Sequence, residues 1–433
     1  MKKIISISFS LLLLIGCSKD SDSTEERLHN NVPEPFTLLT PTEGAINDVY
    51  DITFEWEAAL DQDGDRVTYD LYLSQGEGPM TRVASDITGT SYVLEGKFDY
   101  NSSNSWHVRA SDGKQGGETI STNSNFTTRK PALEKILDDN SYASFSPKRS
   151  AYTGLYFNDK FYIISGYGEQ TLGDVWSSGN YGRQWTFEND LIDTGFERYG
   201  HSSVVFNDRM WVIGGHDDTK PLGTIYSSGD GVDWIEEEFV GSFGQRYDHT
   251  SVVFNDKIWI IGGYDDRDAY FDDVMSWTGI SQEAWVMVAS GVQTPFNGIR
   301  GHSGLVFDDK IWIIGGREIS GEYVNTVWYT SNGINWTQAQ DLPLGLAYHK
   351  SAVFDGKIWV IGGEAESGVS DNIYYYDLST GEWNYHDETF PEDFGARYNH
   401  SVIAIDEGSP NDGIYIFGSF NGTNYFNDVW KLN

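Results

Sequence analysis

The sequence has 433 residues, enough for two or three domains, and its 65 acidic against 29 basic residues give a net charge of -36. This charge excludes a protein that binds nucleic acid chiefly through phosphates, because such binding needs clustered lysine and arginine. The 47 glycines and the 15% share of aromatic residues favour an all-β protein.

The first seventeen residues have the plan of an export signal. Two lysines precede an apolar run from Ile4 to Ile15, which is too short to span a bilayer as a mature helix. The run leads into Leu-Ile-Gly-Cys, which resembles a bacterial lipobox, and Cys17 is the only cysteine of the chain. We therefore predict a lipoprotein signal peptide over residues 1–17 and lipidation of Cys17 as the membrane anchor. An ordinary signal peptide is the alternative.

The next segment, residues 18–33, is polar and acidic and is predicted to be a flexible linker. It resembles the acidic signals that direct some Gram-negative lipoproteins to the outer surface. We expect an outer membrane lipoprotein, on the cell surface or the periplasmic face, and a monomer. With a single cysteine, no intramolecular disulfide can form.

Residues 34–129 carry short runs of alternating polar and apolar residues separated by turn residues, which predicts an antiparallel β-sandwich. The predicted core consists of Trp56, Tyr72, Leu94, Trp106, Val108 and Ala110. The pattern resembles a fibronectin type III domain, with Trp56 on the second strand and Trp-x-Val-x-Ala at 106–110 on the sixth. It departs from that family at Asn104, where a tyrosine is usual.

One loop of this region spaces carboxylates at alternate positions, Asp61, Asp63 and Asp65, as calcium-binding loops do. The EF-hand pattern is incomplete, because Arg66 stands where that loop has glycine and Tyr72 where it has glutamate. A polar turn without metal explains the same residues. Calcium is the one cofactor that the sequence suggests.

Residues 131–433 repeat one motif, an apolar strand pair with a polar turn and a final Gly-Gly, at intervals of roughly fifty residues, which suits propeller blades. Four copies are close and the first and last are divergent: Tyr152 to Gly166, Ser202 to Gly215, Ser251 to Gly263, Ser303 to Gly316, Ser351 to Gly363 and Ser401 to Gly418.

Each copy predicts four strands, with a two-residue turn after the first, a buried second strand, and a fourth that begins near a tryptophan such as Trp185 or Trp234. The double glycines and these tryptophans resemble a six-bladed kelch β-propeller. The fold class is therefore all-β, a six-bladed kelch-type propeller behind a fibronectin type III-like sandwich. Because the chain stops after the third strand of the last blade, we predict that Ala132 to Leu137 supplies its outer strand. A plain linker is the alternative.

In such a blade, the residues before the first strand and the loop after Gly-Gly lie at the same mouth of the central channel. The candidate ligand-binding residues there are Arg149, Arg198, Tyr199, Arg246, Tyr247, Arg300, Arg317, Tyr348, Arg397 and Tyr398. Arginines can bind an anion, and tyrosines can stack on a sugar or a peptide. The alternative is architectural, in which they pair with the neighbouring blade's acidic loop.

Histidines recur at one position in five blades, and Tyr152 takes that position in the first blade: His201, His249, His302, His349 and His400. Ligands of one metal ion must converge, whereas these residues are spaced around a circle. We therefore predict a repeated structural hydrogen bond.

Two functions remain open. The first is a lipid-anchored protein that binds carbohydrate or a surface protein without catalysis. The second is a sugar mutarotase or epimerase, because the pattern also resembles kelch epimerases that act on sialic acid. Copper chemistry of the galactose oxidase kind needs a cysteine cross-linked to tyrosine, and Cys17 already lies in the lipobox.

Overall fold

The structure is a computed structural model that describes residues 30–433, except 192–194, 268, 387–389 and 392. Cys17, the predicted signal peptide and most of the predicted linker lie outside the described residues. In the described part, strands dominate, a 3-10 helix spans Gly291–Gln293, and no helix is long and apolar enough to cross a membrane. The described residues divide into two compact units, 30–45, 53–94 and 103–127 in the first, and 46–52, 95–102 and 128–433 in the second.

Nine strands precede the propeller region: β1 Leu38–Thr40, β2 Ala45–Asn47, β3 Tyr50–Trp56, β4 Thr68–Gln75, β5 Thr81–Ile87, β6 Ser91–Lys97, β7 Ser103–Ser111, β8 Glu118–Ile120 and β9 Ser124–Thr128. They form two sheets, one in the order β1-β3-β6 and one in the order β2-β9-β7-β4-β5 with β8 beside β7. Phe54 of β3 meets Trp106 of β7 edge-on at 5.0 Å, so the sheets pack face to face.

Tyr72 is not in the core of this sandwich. Strand β4 turns Tyr69, Leu71 and Leu73 inward, each at most 4% exposed, and Tyr72 instead stacks on His107 at 4.8 Å on the other face. Because strand residues alternate between the two faces of a sheet, the prediction that Tyr72 is in the core was wrong, and it assigned the inward face of β4 one residue away from the true one. Trp56, Trp106, Val108 and Ala110 are buried as predicted, and Leu94 is half-buried.

The remaining strands are β10 Leu133–Leu137, β11 Thr153–Phe157, β12 Lys160–Tyr167, β13 Thr171–Ser178, β14 Thr186–Asp190, β15 Ser202–Phe206, β16 Arg209–Ile213, β17 Ile225–Ser228, β18 Ile235–Glu236, β19 Thr250–Phe254, β20 Lys257–Ile261, β21 Tyr264–Asp265, β22 Ala269–Tyr270, β23 Val274–Trp277, β24 Val286–Ala289, β25 Ile299–Arg300, β26 Ser303–Phe307, β27 Lys310–Ile314, β28 Arg317–Glu318, β29 Val327–Thr330, β30 Thr337–Gln338, β31 Lys350–Phe354, β32 Lys357–Ile361, β33 Glu364–Ala365, β34 Gly368–Val369, β35 Ile373–Asp377, β36 Glu382–Tyr385, β37 Ser401–Ile405, β38 Gly413–Phe420 and β39 Tyr425–Leu432.

Six four-stranded sheets make the blades. Five are simple meanders: β11-β12-β13-β14, β15-β16-β17-β18, β19-β20-β23-β24, β26-β27-β29-β30 and β31-β32-β35-β36. The sixth has the order β10-β39-β38-β37, so the predicted outer strand from the start of the region is confirmed. Each first strand contacts that of the next blade, and β37 contacts β11, which closes the circle.

The repeated motif sets the geometry within each blade. Asn207 and Asp208 both have positive φ, 49° and 54°, which is the two-residue hairpin turn that the sequence predicts. At the end of the second strand, a Cβ on Gly214 would lie 2.7 Å from the Arg246 carbonyl of the next blade. The Gly-Gly pair therefore permits two blades to approach closely.

Candidate functional site

Six residues, one per blade, form a hydrogen-bonded girdle around the channel: Ala151, Gly200, Asp248, Gly301, Tyr348 and Asn399. Each backbone N–H donates to the carbonyl of the preceding member at 2.6–2.9 Å, and Ala151 donates to Asn399 to complete the circle. All six have φ between 52° and 62°, a region that favours glycine, so the four that carry side chains are held there by this bonding.

The two predicted sets of mouth residues do lie together. In every blade, the residue before the girdle residue pairs with the residue after the Gly-Gly position: Ser150 with Tyr167, Tyr199 with His216, Tyr247 with Tyr264, Arg300 with Arg317, Ala347 with Glu364 and Tyr398 with Phe420. These short antiparallel pairings surround the mouth on the outer side of the girdle.

All five histidines are buried, and His201, His249, His302 and His349 line a channel space of only about 30 Å³ on the inner side of the girdle. Nε2 of His201, His249 and His349 lies 2.8 Å from the hydroxyl of Thr153, Ser202 and Ser303, each in the preceding blade. The predicted structural hydrogen bond is confirmed for these three. Burial lowers the pKa of all five histidines, to about 3 for His302 and His349, so each is neutral at pH 7.

Four of the predicted ligand-binding arginines are instead internal clamps. Arg149, Arg198, Arg246 and Arg397 are at most 1% exposed. Each donates to the carbonyl at the first position of its own blade's Gly-Gly, as Arg246 does to Gly262 at 2.8 Å. Arg246 also donates two bonds, of 2.6 and 2.9 Å, to Asp273, which directly precedes the third strand.

The same ion pair joins Arg149 to Asp174 and Arg397 to Asp428. These partners lie within one blade, and so the predicted pairing with a neighbouring blade is corrected as well. Buried guanidinium groups that already bond carbonyls and carboxylates have no surface to offer a ligand. The expected anion site therefore does not form from the arginines that precede the first strands, Arg149, Arg198, Arg246, Arg300 and Arg397.

Arg300 belongs to a different position from the other four. It stands two residues before its histidine, where three other blades have tyrosine, whereas the clamp arginines stand three residues before. Ile299 takes the clamp position in that blade. The guanidinium of Arg300 packs over the rings of Tyr264 and Tyr270 at 4.4 and 5.3 Å, and its Nη1 lies 4.0 Å from Asp248.

A cavity of about 390 Å³, which we call the cup, opens on the mouth side of the girdle. It is lined by Ser150, Ala151, Tyr167, Tyr199, Asp218, Tyr247, Asp248, Arg317, Tyr348, Glu364, Tyr398, Asn399, Phe420 and Tyr425. The structure thus brings together all four predicted tyrosines and Arg317. Three of the four charged side chains in this lining are carboxylates, so the cup is acidic.

Aromatic rings contact one another around the rim in two arcs. The first runs through Tyr270, Tyr264, Tyr247, Tyr199 and Tyr167, with ring centroids 4.9 to 6.3 Å apart. The second runs through Tyr348, Tyr398, Phe420 and Tyr425, at 4.5 to 6.3 Å. Rings from both arcs therefore line the cup, and Asp248 lies at its floor.

Asp248 is the acidic group of that floor. Burial raises the pKa of its carboxyl to about 6, against the lowering effect of Arg300, Lys350 and His216 and of a hydrogen bond from Tyr348. A carboxyl that titrates near neutral pH at the base of a cavity is suited to proton transfer. In the neighbouring blades, glycine takes the girdle position, at Gly200 and Gly301, so this group is off-axis.

Lys350 lies beneath Asp248, in the channel among the histidines. Burial lowers the pKa of its ammonium, and the charge of Asp248 opposes that shift. The other blades carry serine or threonine at this position, as at Ser303 and Ser401. Asp248, Arg300 and Lys350 therefore come from the third, fourth and fifth blades.

In the first unit, the predicted calcium-binding residues are brought together. One carboxylate oxygen from each of Asp61, Asp63 and Asp65 lies within 4.8 Å of the others. Asp61 also accepts the backbone N–H groups of Asp63 and Asp65 at 2.9 and 3.1 Å, as a polar turn does, and Asp65 pairs with Lys114. Both interpretations of this loop fit these contacts, and calcium binding stays a prediction.

Comparison with known proteins agrees with this architecture. The profile described as "KLHDC2/KLHL20/DRC7 Kelch-repeats domain" matches residues 230–407, and that of the Kelch motif matches residues 197–227. The second unit is a six-bladed β-propeller that contains kelch repeats. A solved structure entitled "Structure of YjhT" is similar in fold, with a TM-score of 0.54 and 15% identity over 66% of this chain and 95% of that one. No curated protein sequence matches the chain.

The kelch repeat itself carries the signals for the cup residues that the sequence prediction missed. Tyr167 and Phe420 immediately follow the Gly-Gly position in the two divergent blades, where the first glycine or the second is serine. Asp248 is found by counting one residue back from its histidine. Aligning the blades on the histidine, or on Tyr152 in the first blade, separates three positions. The clamp residue stands three residues before it, the residue at the rim of the cup two before it, and the girdle residue one before it.

Proposed function

We propose that the protein is a lipid-anchored binding protein whose kelch propeller holds a carbohydrate in the cup. The observation that carries this proposal is that rings from two aromatic arcs line one cavity together with the carboxylates of Asp218, Asp248 and Glu364. Sugar rings present apolar C–H faces that stack on aromatic rings and hydroxyl groups that donate to carboxylates. For a binding protein without catalysis, the alternative ligand is another protein.

The charge of the cup favours a neutral or basic sugar. Asp218, Asp248 and Glu364 outnumber Arg317 in the lining, and the clamp arginines are buried elsewhere. An anionic sugar would meet like charge on entering, which costs binding energy in a cavity of low dielectric. This argues against the sialic acid type of ligand that the family resemblance suggests.

The membrane attachment is proposed from the sequence. Lipidation of Cys17 would anchor the protein in the outer membrane, with the fibronectin type III-like unit as spacer. Replacing Cys17 with Ala is expected to move the protein from the membrane fraction to the soluble fraction, because Cys17 is the only cysteine that can carry the lipid. Cell fractionation with immunoblotting measures this, and a variant that stays in the membrane fraction contradicts the anchor.

A glycan screen tests the binding function. The full chain is tested against neutral, basic and acidic saccharides, beside Tyr398→Ala in the cup and Tyr385→Ala on the outer strand of the fifth blade as matched control. Neutral or basic sugars should bind the wild type and the control, and Tyr398→Ala should bind at least tenfold more weakly. Failure of every saccharide to bind contradicts the proposal and favours a protein ligand.

The position of Asp248 supports a second candidate, a sugar mutarotase or epimerase at the same cup. Exchange of anomers requires removal of a proton from the anomeric hydroxyl and delivery of a proton to the ring oxygen. A carboxyl with a pKa of about 6 is populated in both forms near neutral pH and is suited to both transfers. Arg300 and Tyr348 are placed to orient it.

Exchange spectroscopy by NMR separates catalysis from binding. Anomer exchange of each bound sugar is measured with the wild type and with Asp248→Asn, which keeps the size of the side chain. Catalysis predicts acceleration over the uncatalysed rate that falls at least a hundredfold in the variant. A wild type that binds sugars without accelerating their exchange leaves the binding function alone.

A further inference from the structure

A second cavity, of about 860 Å³, lies beside the cup between the sixth and first blades. We call it the groove. It lies between residues 423–426 of the sixth blade and residues 169–172 of the first, and its lining includes Lys148 and Asp139. Tyr425 belongs to the linings of both the cup and the groove, so the two cavities share a wall.

Tyr425 provides an aromatic path from one cavity to the other. Its ring stacks on Phe420 at 4.5 Å, and Phe420 contacts Tyr398 of the cup at 5.7 Å. On the groove side, Phe426 and Leu172 continue the apolar lining. A ligand with repeated flat apolar faces meets aromatic or aliphatic surface along the whole route.

The charged groups of the groove do not favour a charged polymer. The ammonium of Lys148 is paired with Asp139, whose other oxygen accepts the Asn427 backbone N–H at 2.9 Å. Glu169 adds one exposed carboxylate, and exposed Thr423 and Asn424 add neutral polar groups. Hydroxyl groups can bond to all of these, whereas a polyanion would find no uncompensated cation among the described groove residues.

We propose that the cup and the groove are consecutive subsites for one neutral oligosaccharide, with a terminal sugar in the cup and further units in the groove. This inference rests on the proposed carbohydrate function and adds the ligand class, a chain rather than a single sugar. Both cavities fall in the size range of ligand sites. The groove is about twice as large as the cup and takes the longer part of the chain.

The test is calorimetric titration of the full chain with two series of probes, β-1,4-linked glucose and β-1,4-linked N-acetylglucosamine, each from one to six units. Affinity should rise at least tenfold between one and three units in one of the series. Thr423→Trp fills the groove without touching the cup, and it should abolish this rise while leaving monosaccharide affinity unchanged. Thr337→Trp, on an exposed outer strand of the fourth blade, is the matched control and should retain the rise.

Each outcome decides one proposal or both. Monosaccharide binding without any gain from length overturns the groove inference and leaves the carbohydrate function standing. A gain from length that survives Thr423→Trp also overturns it, because the chain then runs elsewhere. Absence of binding by either series, together with a negative glycan screen, overturns both.

Discussion

Among the clamp residues, Arg198 is exceptional because no carboxylate stands at its partner position. It is fully buried and bonds the carbonyl oxygens of Phe196, Gly195 and Gly214 and, at 3.2 Å, the hydroxyl of Thr224. Burial lowers the pKa of its guanidinium to about 10, which still leaves it charged at pH 7. The other three clamp arginines each pair with an aspartate on the third strand or directly before it.

Replacing Thr224 with Asp should therefore stabilise the propeller by about 3 kcal/mol, since a buried charge gains its missing partner. Denaturant unfolding at pH 7 measures the free energy. Thr326→Asp is the matched control, because Ile299 stands at the clamp position of that blade and the new carboxylate would be destabilising there. Equal effects of the two substitutions would contradict the clamp.

Asp248 predicts a specific dependence of stability on pH. Its pKa in the folded protein, about 6, lies above the ordinary value near 4, so the folded state binds this proton more tightly than the unfolded chain. Asp248 therefore destabilises the fold increasingly as pH rises from about 4 through 6. The charged groups facing it, Arg300, Lys350 and His216, are already included in that pKa shift.

The unfolding free energy of Asp248→Asn minus that of the wild type should increase by about 3 kcal/mol as the pH is raised from 4 to 7. Chemical denaturation at several pH values gives this difference directly. Asp217→Asn, in the loop after the double glycine of the second blade, is the control. Against the effect of burial, hydrogen bonds from Thr219 and Lys220 hold the pKa of the Asp217 carboxyl below its ordinary value, so its difference should stay flat above pH 5. A flat difference for Asp248→Asn as well would mean that this carboxyl is not buried in solution.

At the scale of secondary structure, closure depends on β10, the strand that completes the sixth blade. Ala132 and Asn433 exchange both backbone hydrogen bonds, at 3.2 and 3.0 Å. In an antiparallel ladder, every second pair of opposite residues exchanges two backbone hydrogen bonds. The next such pair after Ala132 and Asn433 is Glu134 and Lys431. Without this strand, β39 would be an exposed edge.

Glu134→Pro should cost about 3 kcal/mol, because proline removes the N–H that this pair needs. Glu134→Ala keeps the N–H and should cost less than about 1 kcal/mol. Thermal unfolding of both variants provides the comparison. A proline variant as stable as the alanine variant would show that the circle closes without β10.

Much of the propeller was predictable because its determinants are local. The Gly-Gly pairs and the two-residue turns specify strands by backbone geometry that few other residues allow, and they recur in four and five of the six blades. The strand face of Tyr72 was not predictable in this way, because Tyr69, Leu71 and Leu73 alternate with Asp70 and Tyr72 and both faces carry an aromatic residue. Only packing against the second sheet decides between them.

The candidate site was predictable in place but not in chemistry. The mouth followed from strand order, and the tyrosines of the cup followed from their position beside it. Arginine was misassigned because one residue of offset separates a clamp from a rim residue, as Arg246 and Arg300 show. Burial, which sequence alone does not give, decides whether a repeated charge is structural or available to a ligand.

The central claim is that the half-buried aromatic arcs of the cup, and not the fully buried arginines, bind the ligand. The most direct measurement is the dissociation constant, by calorimetry, of the strongest saccharide from the screen with Tyr199→Ala and Tyr398→Ala combined, one residue from each arc. The account predicts a rise of at least a hundredfold, with Tyr385→Ala unchanged and all variants folded by circular dichroism. An unchanged dissociation constant in the combined variant would place the ligand outside the cup and contradict the account.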